Sequence, residues 1–262
     1  MYYSLIIIIL IFVSIYFLFF YKKSQPKKEP FKTTDYLDGI DVIYWINLDR
    51  SVDRRQRMEK MFEDPVFAQK KIIRISAVDG KAHDIDQVLN ANFEGMQPDK
   101  FTKVEYACLL SHLNAIKQFS ESNNETALIM EDDMTLEYKP YWKKSVQQII
   151  DNAPSDWDLI QLCINIDSPL KQKYTRNTGY ISCSAAYIIN KKCSTQISVN
   201  KYKLDNILHV SDGYLFMKTN TYAYKYPMFT YKLNEISTIH PEHLKQHDKN
   251  KKIIDNFIKG KT

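Results

Sequence analysis

Several large functional classes are disfavoured by what this chain lacks. Glycine occurs only six times in 262 residues, which disfavours glycine-rich phosphate loops and collagen-like repeats. The four cysteines, Cys108, Cys163, Cys183 and Cys193, form no CxxC pair, so a zinc-finger or thioredoxin-like site is disfavoured. Four thiols in a chain this long read as buried residues rather than a disulfide scaffold, with one disulfide left open. There is no Walker-type loop, no HxxEH-like motif, no RNA-binding signature and no internal repeat. The net charge is +5, but the lysines crowd the two ends, at Lys22, Lys23, Lys27, Lys28 and Lys32 and from Lys245 to Lys261. Basic ends of this kind are solvated or juxtamembrane features, and nucleic acid is not an expected partner.

What is present reads as one globular domain behind an apolar leader. Apolar residues make up 44% and charged residues 26% of the chain, a globular balance. Residues 2–21 run without a charge, long enough to span a bilayer core of roughly 30 Å as a helix. Tyr2, Tyr3 and Tyr21 sit at the ends of that run, as interfacial aromatics do. The start lacks Lys or Arg, and Lys22-Lys23 follows directly, which favours a retained anchor over a cleaved signal peptide. The expected organisation is an anchor over 1–21, a Lys- and Pro-containing linker over 22–40 and a catalytic domain over 41–262 that ends in a helical tail.

Within that domain, VIYWINL from Val42 reads as a strand. Met58, Met61 and Phe62 then mark one face of an amphipathic helix, with Ser51 or Asp53 as its cap. KIIRISAV (71–78) is a second strand, closed by the turn signal Asp79-Gly80. Ala107, Leu110, Leu113, Ala115, Ile116 and Phe119 make a helical face. ALIM (127–130) is a buried strand, 142–150 a helix, 157–162 a strand and 182–189 a strand. Such alternation predicts an α/β sheet with one core. Ile253, Ile254, Phe257 and Ile258 suggest a terminal amphipathic helix. His240, His243 and His247 share helical spacing and read as a surface helix.

The chemistry concentrates at Glu131-Asp132-Asp133, where a buried strand emerges into three acids. Strand ends of this kind open onto the ligand crevice of an α/β sheet. Alternate residues point the same way, so Glu131 and Asp133 are expected to face one ligand. Hard oxygen donors suit Mg²⁺ or Mn²⁺; a solvated acidic turn or a helix cap is the other reading.

The ordered set VIYWINLDRSVDRRQRME (42–59), ISAVDGK (75–81), VEYACLLSHLNAIKQF (104–119), ALIMEDDM (127–134), WDLIQL (157–162), SAAYIIN (184–190), VSDGYLF (210–216) and NEISTI (234–239) resembles glycosyltransferase family 25. The resemblance implies a GT-A fold, a divalent metal such as Mn²⁺ and a UDP-sugar donor. It implies that Asn47, Asp49, Arg50 and Arg54 lie near the nucleotide, Asp79 at the base or ribose, and Ser111 and His112 near the donor sugar. Glu131 and Asp133 then form the metal-binding acidic motif, and Asp212 is the candidate base or acceptor contact. The expected acceptor is a hydroxyl of a glycan, glycoprotein or collagen-like protein. One departure is Val104-Glu105-Tyr106, where the family pattern has Gly-Glu. The lysines after the apolar run place the globular part on the cytosolic side, whereas Golgi glycosyltransferases have the opposite orientation, so the side stays open. A reading from another class is a membrane-tethered binding or assembly protein on a degenerate transferase fold. The intact Asn47-Leu48-Asp49-Arg50 and Glu131-Asp132-Asp133 segments argue against it.

Overall fold

The computed structural model describes residues 35–204, 207, 209–232, 239 and 241–260. The expected anchor, residues 22–34 of the linker, most of NEISTI and His240 lie outside them. Among the described residues no helix is long and apolar enough to cross a membrane. The last six residues read as linker, 35–40, belong to the globular unit, which starts at Asp35. Leu37 and Ile40 are buried in its core, and Asp41 fixes the start of the first strand by accepting the backbone N–H groups of Glu125 and Thr126.

Seven strands form one mixed sheet. They are β1 (Val42–Asn47), β2 (Lys71–Ser76), β3 (Thr126–Glu131), β4 (Leu159–Gln161), β5 (Tyr174–Arg176), β6 (Ala186–Asn190) and β7 (Thr221–Tyr224). Their spatial order is β2-β1-β3-β6-β4-β7-β5. β2, β1 and β3 run parallel, and β6 returns antiparallel to both β3 and β4. β1 is buried at every position, as a central strand covered on both faces must be.

Alternation along β1 and β3 sorts their side chains into two apolar layers. Val42, Tyr44, Ile46, Ala127 and Ile129 pack on one face, under α2 (Ile85–Asn92), α3 (Lys103–Ser120) and α6 (Ser211–Met217). Ile43, Trp45, Leu128 and Met130 pack on the other, with Met58 of α1 (Val52–Phe62), Val146 and Ile149 of α4 (Val146–Asp151) and Ile254 of α7 (Leu244–Ile258). A fifth helix in chain order, α5 (Lys191–Ile197), follows β6 directly and is capped by the Asn190 side chain.

Some elements differ from the sequence reading. Helix α4 begins only at Val146, because Ser145 and Gln148 form a capping box there. Strand β6 begins at Ala186 rather than 182, because the Gln161 side-chain amide clamps the carbonyls of Ile181 and Cys183 as a loop. The terminal helix does pack on the domain. Lys251, buried to 2% exposure, is neutralised by Glu137 and Asp255.

Val104, the departure from the family pattern, sits in the first turn of α3, whose N-terminus is closed by a Thr102–Glu105 capping box. A Cβ on Gly80 would lie 2.5 Å from the Val104 Cα. Gly80 therefore lets the loop after β2 touch α3, where the Val78 N–H also donates to Ser111. Replacing Gly80 with Ala is expected to cost about 1–3 kcal/mol through overpacking, lowering the melting temperature by several degrees. An unchanged melting temperature would show that this backbone approach is not tight.

Candidate active site

The site forms where the parallel strands end. In the sheet register Asn47 pairs with Ser76, and Ile46 with Glu131, so the residue after Glu131 lies opposite Asn47. That residue is Asp132, and it turns inward. Its carboxylate accepts from Asn47 Nδ2 at 2.6 Å and from Arg54 Nη1 at 2.6 Å. Asn47 is itself fully engaged. Its amide also donates to the Ser51 carbonyl, and its Oδ1 accepts from Arg55 and Arg74.

Asp132 is thereby kept out of the larger cleft, which its two neighbours line. Glu131 and Asp133 line a cleft of about 320 Å³ together with Asp212, Ser184 and Cys108, a volume within the usual range of ligand sites. A second, smaller pocket of about 70 Å³ is lined by Asn47, Arg50, Arg54, Asp79, Ser111 and His112. The two share Cys108, Glu131 and Ile239 on their walls. Every residue that the resemblance placed at the nucleotide or sugar lines the smaller pocket, except Asp49. Asp49 is 71% exposed and is held by Arg74 and Ser76 on the outer side of the loop.

Each polar group has a local partner that orients it. Arg50 grips Asp79 with two hydrogen bonds, 2.7 and 3.3 Å, and these hold the Asp79 carboxyl below the usual carboxylate range. Ser111 donates to the Ala107 carbonyl and accepts from the Val78 N–H, tying α3 to the loop after β2. His112 is fully buried. Its Nε2 lies 3.2 Å from Glu131 Oε1 and its Nδ1 3.2 Å from the Tyr187 hydroxyl. Burial works to raise Glu131, but the hydrogen bond and charge of His112, aided by Arg54, outweigh it and leave Glu131 below its ordinary value.

Asp212 lies in the first turn of α6 and accepts from the Cys183 N–H at 3.0 Å. Burial raises its pKa, and the nearby Glu131 charge adds to that, against the Cys183 and Ser184 hydrogen bonds. Cys183 holds a positive φ of 103°, a conformation that non-glycine residues adopt rarely and at some cost. The sequence reading left the tail histidines on a surface helix. His243 is exposed and His247 half-buried, and both, with Asp248, border the larger cleft. The spacing was visible in the sequence, but it does not say which face of α7 turns inward.

Glu131, Asp133 and Asp212 thus all line one cleft, and carboxylate oxygens are the donors that a hard divalent cation such as Mn²⁺ or Mg²⁺ takes. Guanidinium groups, at Arg50 and Arg54, line the adjoining pocket. An α/β sheet with acids and cations gathered at the ends of its parallel strands has the layout of a ligand-binding domain. The chain belongs to glycosyltransferase family 25. The family model, described as glycosyltransferase family 25 (LPS biosynthesis protein), matches residues 40–224. The chain is 33% identical over 135 residues to procollagen galactosyltransferase 2 of Homo sapiens, covering 47% of this chain and 21% of that protein. It is 33% identical over 141 residues to procollagen galactosyltransferase 1 of Danio rerio, covering 50% of this chain and 22% of that one. A glycosyltransferase 25 family member of Aedes aegypti is 31% identical over 131 residues, with 47% and 21% covered. The match thus spans about a fifth of the length of these relatives. Among solved structures, HddC from Yersinia pseudotuberculosis aligns over 72% of each chain with a TM-score of 0.35 and 12% identity.

Two predictions follow from the geometry. Asp132→Ala removes the acceptor shared by Asn47 and Arg54, and breaking so buried an ion pair is expected to cost on the order of 3 kcal/mol. Urea unfolding measures it, and a loss under about 1 kcal/mol would place the anchor elsewhere. Asp212→Asn tests the burial penalty. Because the folded pKa of Asp212 lies above its ordinary value of 3.8, ionising it opposes folding. That penalty is absent below the unfolded value, grows as pH rises toward the folded value, and is constant above it. The variant should therefore melt higher than the parent at pH 7 and equal it near pH 3 (about one unit below the ordinary Asp value). A variant less stable at pH 7 would contradict the assignment.

Proposed function

We propose that this chain is a GT-A-type hexosyltransferase that moves galactose or glucose from a UDP-sugar to a hydroxyl of a glycan, glycoprotein or collagen-like acceptor, with inversion. The observation that supports the reading most is the convergence of Glu131, Asp133 and Asp212 on one cleft, beside a pocket lined by Arg50 and Arg54. Galactose and a collagen-like acceptor are favoured by the names of the procollagen galactosyltransferase relatives. A single-pass anchor over residues 1–21 belongs to the same proposal and would hold the enzyme at a membrane.

In this reading Arg50 and Arg54 meet the diphosphate, and the Arg50–Asp79 pair fixes the loop that borders the base or ribose. Ser111 and His112 flank the donor sugar from α3. Glu131 and Asp133 would hold a divalent cation, Mn²⁺ or Mg²⁺, which supplies electrostatic stabilisation to a departing nucleoside diphosphate. Asp212 takes the acceptor proton as that hydroxyl attacks the anomeric carbon. Its raised pKa makes it a stronger base than an ordinary aspartate. Asp133 acts in catalysis through its place in the cation site.

Thermal melting with UDP and Mn²⁺ provides the test. A ligand at a hundred times its Kd stabilises the native state by about 2.7 kcal/mol, roughly 5–10 °C for a domain of this size. The rise should need both components and should favour UDP over GDP and CMP. Asp133→Ala should abolish both the metal-dependent rise and turnover of UDP-galactose or UDP-glucose. No response to any nucleoside diphosphate, with no donor hydrolysis, would support the binding-protein reading instead.

A further inference from the structure

Cys108 has no role in the transfer described above, yet it sits where the two pockets meet. It lies one helical turn before His112 on α3, so both side chains leave the same face of that helix. That face is directed at the end of β3. The Cys108 Sγ, a His112 ring nitrogen and a Glu131 carboxylate oxygen all lie within 4.8 Å of one another. We propose that Cys108, His112 and one carboxylate oxygen of Glu131 form a three-ligand site for a borderline-soft divalent cation such as Zn²⁺, distinct from the Asp133 end of the cleft and sharing only Glu131 with it, with its remaining position open to the cleft.

The donor set argues for softness. One thiolate, one imidazole and one carboxylate is a zinc- or cobalt-type combination, whereas the Asp133 end of the cleft offers only oxygen. The geometry is close to what such an ion needs. In a tetrahedral zinc site neighbouring ligand atoms stand roughly 3.3–3.6 Å apart. His112 Nε2 and Glu131 Oε1 already stand 3.2 Å apart. The Sγ reaches the same spacing by a movement on the order of 1 Å, within side-chain torsional freedom.

The supporting shell is also in place. His112 Nδ1 faces the Tyr187 hydroxyl at 3.2 Å. A hydrogen on Nδ1 donated to Tyr187 would leave Nε2 as the ligand, the usual way an outer partner fixes a metal-bound histidine. Without a cation, burial and the Glu131 charge keep the Cys108 thiol protonated, its pKa well above the ordinary value. Loading the site therefore expels the thiol proton to solvent, and affinity rises with pH. Entry is open, because Cys108 and Glu131 line both pockets. The assignment rests on these three residues and does not depend on the identity of the sugar donor.

The test is a Co²⁺ titration of the full chain after chelator treatment. The expected result is one equivalent bound, with a near-ultraviolet thiolate-to-cobalt charge-transfer band and intense tetrahedral ligand-field bands. Cys108→Ser should lose the charge-transfer band and bind at least tenfold more weakly, while Cys163→Ala keeps both. X-ray absorption of the Zn²⁺-loaded parent protein covers the case in which a variant fails to fold, and should show one sulfur and one imidazole. Cobalt bound without a thiolate band, an oxygen-only shell, or two sulfurs from Cys163 and Cys183 would overturn the proposal. UDP-dependent stabilisation that persists alongside such a result would leave the transferase reading standing and remove only this site.

Discussion

The inward turn of Asp132 organises everything around it. Three acids in sequence at a strand end repel one another when they share one environment. Here the middle one is withdrawn into a buried bond with Asn47 and Arg54. Its neighbours, one residue away on each side, line the larger cleft, which Asp132 does not. The same bond joins the ends of β1 and β3 to the first turns of α1, so the strand that supplies the acids and the helix that supplies the cations keep a fixed separation. Asn47 suits this position because its side chain both donates and accepts. It donates to Asp132 and the Ser51 carbonyl and accepts from Arg55 and Arg74.

Around that clamp the sheet places its parallel strands so that their ends bring three loops to one edge. The loop after β1 brings Arg50, the loop after β2 brings Asp79, and the turn after β3 brings Asp133. Helix α3 seals the floor with Ser111 and His112, both buried. From the antiparallel half, the strained Cys183 backbone donates to Asp212. Six of the seven residues that the resemblance placed at the nucleotide or sugar line the smaller pocket at this edge. Within the loops Arg50 pairs with Asp79 and Arg54 with Asp132, while Glu131 of the cleft meets His112 and Asp212 accepts from the Cys183 N–H.

Much of this was legible in the sequence, for physical reasons. The VIYWI and ALIM runs carry no charged or amide side chain, so they had to be central strands, and β1 and β3 are. The i, i+2 rule groups Glu131 with Asp133, and both line the larger cleft, which Asp132 does not. Asp49 was misleading because it stands in the same Asn-Leu-Asp-Arg segment as Asn47 and Arg50. A strand end flips its side chains, and Asp49 faces out to Arg74 and Ser76. Leu37 and Ile40 were read as linker because two apolar residues among polar ones give no periodicity. The inward face of α7 was hidden for a similar reason: Lys251 is charged, and only its tertiary partners Glu137 and Asp255 make its burial tolerable.

The most direct test of the account is anomalous diffraction from crystals grown with Mn²⁺ and UDP. The account predicts a manganese peak in coordination contact with Asp133, beside Glu131, with the diphosphate reaching it from the Arg50 and Arg54 side and Asp132 still bonded to Asn47. A peak ligated by Asp132, or a UDP bound with no density near Asp133, would contradict it.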